Sequence, residues 1–260
     1  MRKIIAVILC LVFCFGTLTF SEEMPGRQIN AILISEDFDI GMDTGSGSGS
    51  TGSTPQNIVP GDIVLFGRYP QTKGGTDLTQ IEWIVLEVRG NRLLLLSRYG
   101  LDAKPYKTRN RSVTWETSSI RTWLNETFFF HAFTSGEQNI ILPTTIDNSE
   151  DQGNRDWTTV TGNNTQDRVF LLSYAEAEKY FISDYGRACV PTDYAIKQGA
   201  WRSASFKIDG RGAGAWWLRS PGASSGHAAI VSAKGELGTY SVVTYTSNII
   251  RPALWVQLNT

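Results

Sequence analysis

The stretch Ala215-Trp216-Trp217-Leu218-Arg219-Ser220-Pro221-Gly222, answered by Ile250-Arg251-Pro252-Ala253-Leu254-Trp255-Val256, is the part of this sequence that decides the fold. Each indole needs a large apolar pocket and an acceptor for its N–H, and the Pro-Gly pair ends the run in a turn. On a strand, Trp216 and Trp217 point to opposite faces, so one is expected in the core and the other toward a cleft or second layer. Arg219 and Arg251 are expected to fork onto carboxylates such as Glu82 or Asp62 and so tie loop to sheet. Trp216, Trp217, Arg219, Arg251 and Trp255 are therefore read as structural, the brace of a C-terminal sheet.

Around that brace the pattern is all strand after Gly210. Ala215 to Arg219, His227 to Ser232, Leu237 to Tyr245 and Ile250 to Leu258 are apolar or alternating runs separated by Gly, Ser and Asn turns. Upstream, Thr117 to Phe130 places Ile120, Trp123, Leu124, Thr127 and Phe128 on one helical face, with Thr117 or Ser118 as the cap. Thr134 to Glu137 opens a short second helical turn, and Ser173-Tyr174-Ala175-Glu176 is a capping box for a helix reaching Phe181. A further short helix is expected around Thr192 to Gly199. Between them, Asp147 to Asp167 reads as a polar surface loop and Arg168 to Leu172 as an apolar strand.

The globular region opens at Ile58 with strand-like Asp62 to Phe66 and Ile81 to Val88, and Arg89-Gly90-Asn91 turns into Arg92 to Ser97. The expected architecture is α+β: an N-terminal β-hairpin, two to four short helices, and a C-terminal antiparallel meander whose last strand pairs with the first. Residues 58 to 260 suit a single domain with a sizeable core.

The remainder is different in kind. Arg2 and Lys3 precede an uncharged apolar run from Ile4 to Gly16, the form of a secretory signal peptide over residues 1 to 21, with an uncleaved membrane anchor as the alternative. Residues 22 to 57 form a linker dominated by the Gly/Ser run from Thr44 to Pro55, with a short apolar island, Ile29 to Ile34, as a weak candidate for an extra strand. An extracytoplasmic location follows, secreted, periplasmic or cell-surface. Of 24 basic and 25 acidic residues, Arg2 and Lys3 lie in the signal segment, which leaves a net charge of about −3 and argues against nucleic acid as a partner. Cys10 and Cys14 also lie there, so Cys189 stands alone, with neither an intramolecular disulfide nor a multi-cysteine metal site.

On these blocks the chain resembles an uncharacterised family of bacterial secreted or surface domains, a domain-of-unknown-function family marked by Trp-Trp-Leu-Arg-Ser-Pro-Gly and a closing Arg-Pro-Ala-Leu. The resemblance runs from Ile58 to Asn259 and takes in Phe66 to Gln71, Ile81 to Leu86, Ser118 to Asn125 and Asp167 to Ser173. The element order also looks like the C-type-lectin-like fold of formylglycine-generating enzymes and of the variable ligand-binding proteins of diversity-generating retroelements. The paired cysteines of the first group are missing, as are the Glu-Pro-Asn and Trp-Asn-Asp calcium motifs of sugar-binding lectins, so neither chemistry carries over.

Few residues suggest chemistry directly. Gly222-Ala223-Ser224-Ser225-Gly226 fits a nucleophile elbow, with His227 beside it, yet an apolar strand follows where an elbow needs a helix. His131, the other histidine, reads as a cap or half-buried packing residue. Asp147, Glu150, Asp151, Asp156 and Asp167 offer oxygen ligands without the spacing of a calcium loop. Gly210-Arg211-Gly212-Ala213-Gly214 precedes a strand, the reverse of a dinucleotide fingerprint, and reads as a tight loop before Trp216. Lys104 to Arg111 is a basic cluster that reads as a solvated loop face.

Trp115, Trp157 and Trp201 fall in expected loops, where an exposed indole suits sugar stacking or a protein contact. They are the candidate ligand-binding residues, and no metal or cofactor is expected. The sequence thus points to a non-catalytic binding or adhesion module for a glycan or protein ligand, with the membrane reached only through the N-terminal segment. The alternatives are a divergent formylglycine-generating-type enzyme using Cys189, a Ser224 hydrolase, or a structural cell-envelope protein.

Overall fold

In the computed structural model, residues 32–33, 58–109, 112–149 and 159–258 are described. The strands are β1 (Ile32–Leu33), β2 (Ile63–Tyr69), β3 (Thr79–Arg89), β4 (Arg92–Ser97), β5 (Asp102–Ala103), β6 (Thr144–Ile146), β7 (Thr165–Asp167), β8 (Lys207–Ile208) and β9 (Arg211–Gly212). They continue as β10 (Trp216–Pro221), β11 (His227–Val231), β12 (Leu237–Val242), β13 (Ile249–Ile250) and β14 (Ala253–Gln257). The helices are α1 (Ser119–Trp123), α2 (Phe129–Ala132), α3 (Ser135–Ile140), α4 (Tyr174–Tyr180), α5 (Asp184–Arg187) and α6 (Asp193–Lys197), with a π-helical turn, Leu124–Phe128, joining α1 to α2. The protein is a mixed α+β fold, mostly strand, with short helices.

Two five-stranded sheets carry the structure, in the orders β1-β2-β3-β4-β14 and β12-β11-β10-β13-β5. The hairpin expected at Arg89-Gly90-Asn91 is present, with Arg89 opposite Arg92 and Gly90 at φ +61°, where a glycine meets the turn without Cβ strain. Four consecutive leucines of β4 are buried because that strand lies between β3 and β14 and is covered on both faces. Apolar Ile81, Trp83 and Val85 alternate inward along β3, and the Trp83 indole donates to the Phe66 carbonyl at 2.7 Å. In the extra-strand island, Ile32 and Leu33 do pair with β2, in parallel.

The ends of the globular region meet, though not as terminal strand on terminal strand. β14 pairs antiparallel with β4, from Ala253 opposite Leu96 to Gln257 opposite Arg92, while β3 and β4 both lie between it and β2. Asn91 fastens the end, since its side chain donates to the Leu258 carbonyl and its own carbonyl accepts from Leu258 N–H. The C-terminal meander also differs from a simple run of strands. β10, β11 and β12 are consecutive antiparallel neighbours, but Ile249 then pairs in parallel with Trp216 on the other edge of β10. At Arg251-Pro252 the chain crosses to the first sheet, so the single strand expected over Ile250 to Leu258 is two strands in two sheets. Pro252 lacks the N–H that a continuous ladder needs, which suits it to the crossover.

Helix starts follow the sequence closely. Ser118, Thr134, Ser173 and Thr192 each accept a hydrogen bond from the first turn, and Thr134/Glu137 and Ser173/Glu176 complete capping boxes. Ile120, Leu124 and Phe128 turn inward as their spacing dictates, and Phe129 N–H reaches back to the Leu124 carbonyl in the π turn. With the α1–π–α2 run counted once, a one-turn helix, α5, capped by Ser183, brings the described helical segments to five, one above the expected range. Arg168 to Leu172 is not a ladder strand; Phe170 alone bridges to Ala253. One cluster of buried apolar side chains extends from Ile58 to Leu258 and includes both sheets and the helices.

Helix α4 is tied to β3 through Glu87, which pairs with Arg89 and Lys179 and accepts from the Tyr180 hydroxyl. The Arg89 hydrogen bond, with help from Tyr180 and Lys179, holds the Glu87 carboxyl down from its ordinary 4.5 to about 2. A depressed folded-state value means stability that is present above pH 4.5 and lost as pH falls toward 2. The native chain is therefore expected to weaken across that window, and Glu87→Gln to weaken less. Parallel stability curves from denaturant titrations at stepped pH would contradict this.

Candidate functional site

The Trp-Trp segment is wholly internal. Trp216 donates from its indole to the Arg187 carbonyl at 3.0 Å and Trp217 to the Lys104 carbonyl at 2.9 Å, and both rings are buried. Of the two surroundings expected for the second indole, a cleft or a second layer, it has packed cover and no cleft, with Tyr106 5.5 Å from Trp217. Trp255 is half-buried beneath the Arg89 guanidinium.

The arginine partners also differ from expectation. Arg219 does fork onto a carboxylate, but it is Glu176, the capping-box residue of α4, and it also donates to the Leu171 carbonyl. Arg251 forks onto carbonyls, Ser97 at 2.9 Å and Arg187 at 3.3 Å, with Trp216 and Phe181 rings against its guanidinium. Glu82 instead pairs with Arg98, and Asp62 accepts from Val59 N–H. Sequence reading places these carboxylates by charge alone; the interior offers the arginines carbonyls and a helix cap.

Of the three candidate tryptophans, the structure separates two, while Trp157 lies outside the described residues. Trp115 is buried and donates its indole N–H to Asp167 at 2.8 Å, so the exposed indole expected there is absent. Asp167 also accepts from Arg121 and Thr165, which engages that carboxylate within the fold. Trp201 is 56% exposed.

Trp201 forms one side of a cleft of about 370 Å³, within the range of small-molecule sites. Tyr240 and Tyr245, 67% and 53% exposed, line the same cleft, with Ala215, Ile230 and Gly238. Thr239, Ser241, Ser247 and Asn248 supply its polar surface.

Local structure explains why Trp201 is held there. Just past the end of helix α6, Gly199 with φ of +113° turns the chain outward, and Trp201 N–H then donates to the Ser247 carbonyl at 3.1 Å. The glycine-rich loop holds the segment from behind. A Cβ on Gly212 would sit 2.1 Å from the Ser203 carbonyl oxygen, and one on Gly214 2.5 Å from that of Trp201. Only glycine admits that approach. Asp209 and Gly210, both at positive φ, turn β8 into β9, so the motif is a hairpin turn followed by two close-approach glycines.

Across the cleft, Tyr240 sits on the outward face of β12 and meets the His227 ring edge-on at 6.4 Å. Beneath it, Asn248 donates to Ser241 Oγ at 2.7 Å, in a buried bond that fixes both side chains. Tyr240 and Tyr245 were not singled out by sequence reading. The available signal was an aromatic in the polar phase of a strand, Thr239-Tyr240-Ser241, where alternation sends Tyr240 outward.

The other candidates fall into plainer roles. Ser224 Oγ lies 2.6 Å from His227 Nδ1, but the two close one tight turn, with His227 N–H on the Ser224 carbonyl, and β11 follows. Among the described residues, no carboxylate orients His227. Cys189 is buried and burial pushes its thiol up, the opposite of a nucleophile's environment. His131 is exposed in the last turn of α2, not half-buried. Lys104 pairs with Asp102 and lies over the Trp123 ring, while Tyr106 is buried and donates to the Arg219 carbonyl. Among the described residues no group of three His, Cys, Asp or Glu side chains is placed to hold a metal ion. None of their helices is long and apolar enough to cross a membrane.

Two curled, mainly antiparallel sheets, short capped helices and an aromatic cleft beside the second sheet define a mixed α+β domain. Residues 90–258 match the family described as a domain of unknown function, DUF6273, and the chain belongs to that family. The match begins at the turn between β3 and β4 and ends at the close of the last strand, so it takes in both tryptophan-arginine motifs and the cleft. No curated protein and no solved structure matches the chain.

Proposed function

We propose that this chain is an extracytoplasmic, non-catalytic binding or adhesion module, a C-type-lectin-like scaffold that takes a glycan or protein ligand in the Trp201/Tyr240/Tyr245 cleft. The observation that carries this reading is the convergence of three exposed aromatic rings on one concave surface. Exposed rings cost hydration, and grouped ones mark a contact surface more strongly than scattered ones. Their backbone supports lower the ordering cost of binding, because Trp201 is hydrogen-bonded into place before a ligand arrives. The signal-like residues 1 to 21 and the Gly/Ser run from Thr44 to Pro55 support display of the module outside the cell. The return of β14 beside the opening hairpin, with helices between the two sheets in sequence, supports the lectin-like assignment.

Retention of the chain on glycan arrays and in cell-wall pull-downs is expected to fall about tenfold or more in Trp201→Ala, since loss of one stacking ring removes on the order of 1.4 kcal/mol. Thermal unfolding should be unchanged, because that indole is exposed. Equal retention by the variant, or no retained ligand for either protein, would sink the reading.

A hydrolase is the second reading, favoured by the Ser224–His227 contact alone. Ser224→Ala should leave ligand retention intact, and abolition of a measurable esterase activity by that change would reinstate the enzyme.

A further inference from the structure

We infer that the ligand of the cleft is an uncharged saccharide, engaged by stacking and neutral hydrogen bonds without a bridging metal ion. This rests on the cleft being the binding site, and it adds the chemical class. The cleft is lined by Trp201, Tyr240 and Tyr245 on its apolar side and by Ser241, Ser247 and Asn248 on its polar side. Among the described residues, no lysine, arginine, histidine, aspartate or glutamate lines it. An anionic glycan would surrender its hydration here without meeting a cation, and a cationic group would meet no carboxylate. A metal-bridged sugar needs several acidic or amide oxygen ligands held together, and among the described residues the cleft offers one amide oxygen, that of Asn248, and no carboxylate.

The polar side instead suits a polyol. The Ser247 hydroxyl can both donate and accept, as sugar hydroxyls do, while the Asn248–Ser241 bond holds the Asn248 amide oxygen in place as a fixed acceptor. Pyranose rings expose C–H faces that pack on indole and phenol rings, and the residual hydroxyl edge then falls toward the serine and asparagine side. A proline-rich peptide also docks on aromatic grooves, but it carries few side-chain hydroxyl partners and would leave most of that polar surface unanswered.

The test uses the full chain in calorimetric titrations. The probes are neutral hexasaccharides of glucose, N-acetylglucosamine and mannose, a polygalacturonate oligosaccharide, a heparin oligosaccharide and a proline-rich dodecapeptide. Each is run with and without excess chelator, at low and raised salt, against Trp201→Ala and Tyr240→Ala. The expected result is binding of at least one neutral hexasaccharide, altered less than about twofold by chelator or salt and weakened at least about tenfold by either substitution.

Preference for an anionic oligosaccharide, with affinity falling as salt rises, would overturn the uncharged class while the variants still located the cleft. Loss of neutral binding in chelator would overturn the metal-free part in the same way. Binding of the peptide alone would overturn the saccharide class. Binding indifferent to both substitutions would instead overturn the cleft itself, and with it the reading on which the inference rests.

Discussion

Arg251→Ala is expected to lower the free energy of unfolding by about 3–5 kcal/mol, the largest loss from any single side chain considered. The guanidinium is buried at the crossover between β13 and β14, where the chain leaves one sheet for the other. Its Nε donates to the Ser97 carbonyl and Nη1 to the Arg187 carbonyl, while Trp216 and Phe181 stand 5.0 and 5.4 Å from it. Arg187 keeps a second donor in the Trp216 indole, but truncation takes a guanidinium bond from the Ser97 carbonyl and opens a cavity between two rings.

Burial penalises the charge and depresses the Arg251 pKa, so the residue is not a stabiliser by charge alone. Its value lies in donor geometry. Arg251→Met, which fills space without a buried charge, should therefore recover part of the loss, and Arg251→Lys should recover little because a point ammonium cannot span both carbonyls. Urea unfolding measures all three. An alanine variant within about 1 kcal/mol of the parent would show that the two sheets do not depend on this clamp.

Glu176→Ala is expected to cost about 2–4 kcal/mol, because it removes the carboxylate from a nearly buried arginine. Arg219 is 3% exposed and its partner 28%, which places the pair below the surface on one side and near it on the other. Partial exposure of Glu176 trims the upper end of the usual range. Glu176 also accepts from Ser173 N–H in the capping box, so two effects are mixed in the alanine variant.

Glu176→Gln separates the two effects, since an amide oxygen still caps the helix while the charge is gone. It should keep about 1 kcal/mol that alanine loses. A double-mutant cycle with Arg219→Ala should return a coupling of about 2 kcal/mol. A coupling below about 0.5 kcal/mol would mean that the bidentate contact contributes no net stability.

Much of the architecture could be read locally. Capping boxes at Thr134 and Ser173 were legible because the hydrogen bonds that start a helix join residues three apart. The β3–β4 hairpin was legible because its turn residues adjoin its strands. Trp216, Trp217, Arg219 and Arg251 are all buried, since such large donors inside an apolar run require a packed interior. Their partners were not legible. Arg219 meets Glu176 across 43 positions and Arg251 meets Ser97 across 154, and no local pattern encodes a separation of that size.

The candidate site divides along the same line. Trp201 falls in an expected loop, and it is exposed. Trp115 gave the same local signal and is buried, because Asp167 and Tyr106 close over it from elsewhere in the chain. Tyr240 and Tyr245 became visible as site residues only when β12 was placed beside the loop that carries Trp201.

By itself the sequence determined the mixed α+β class, the start of each main helix and the opening hairpin. These depend on periodicity, caps and turns, which act over a few residues. Only the tertiary structure decided that the last strand lies against β4, that the chain changes sheet at Arg251-Pro252, and that Trp201, Tyr240 and Tyr245 share one cleft. Those outcomes depend on long-range pairing and on close backbone approach at Gly212 and Gly214. The free energy of such contacts exists only once distant segments have come together.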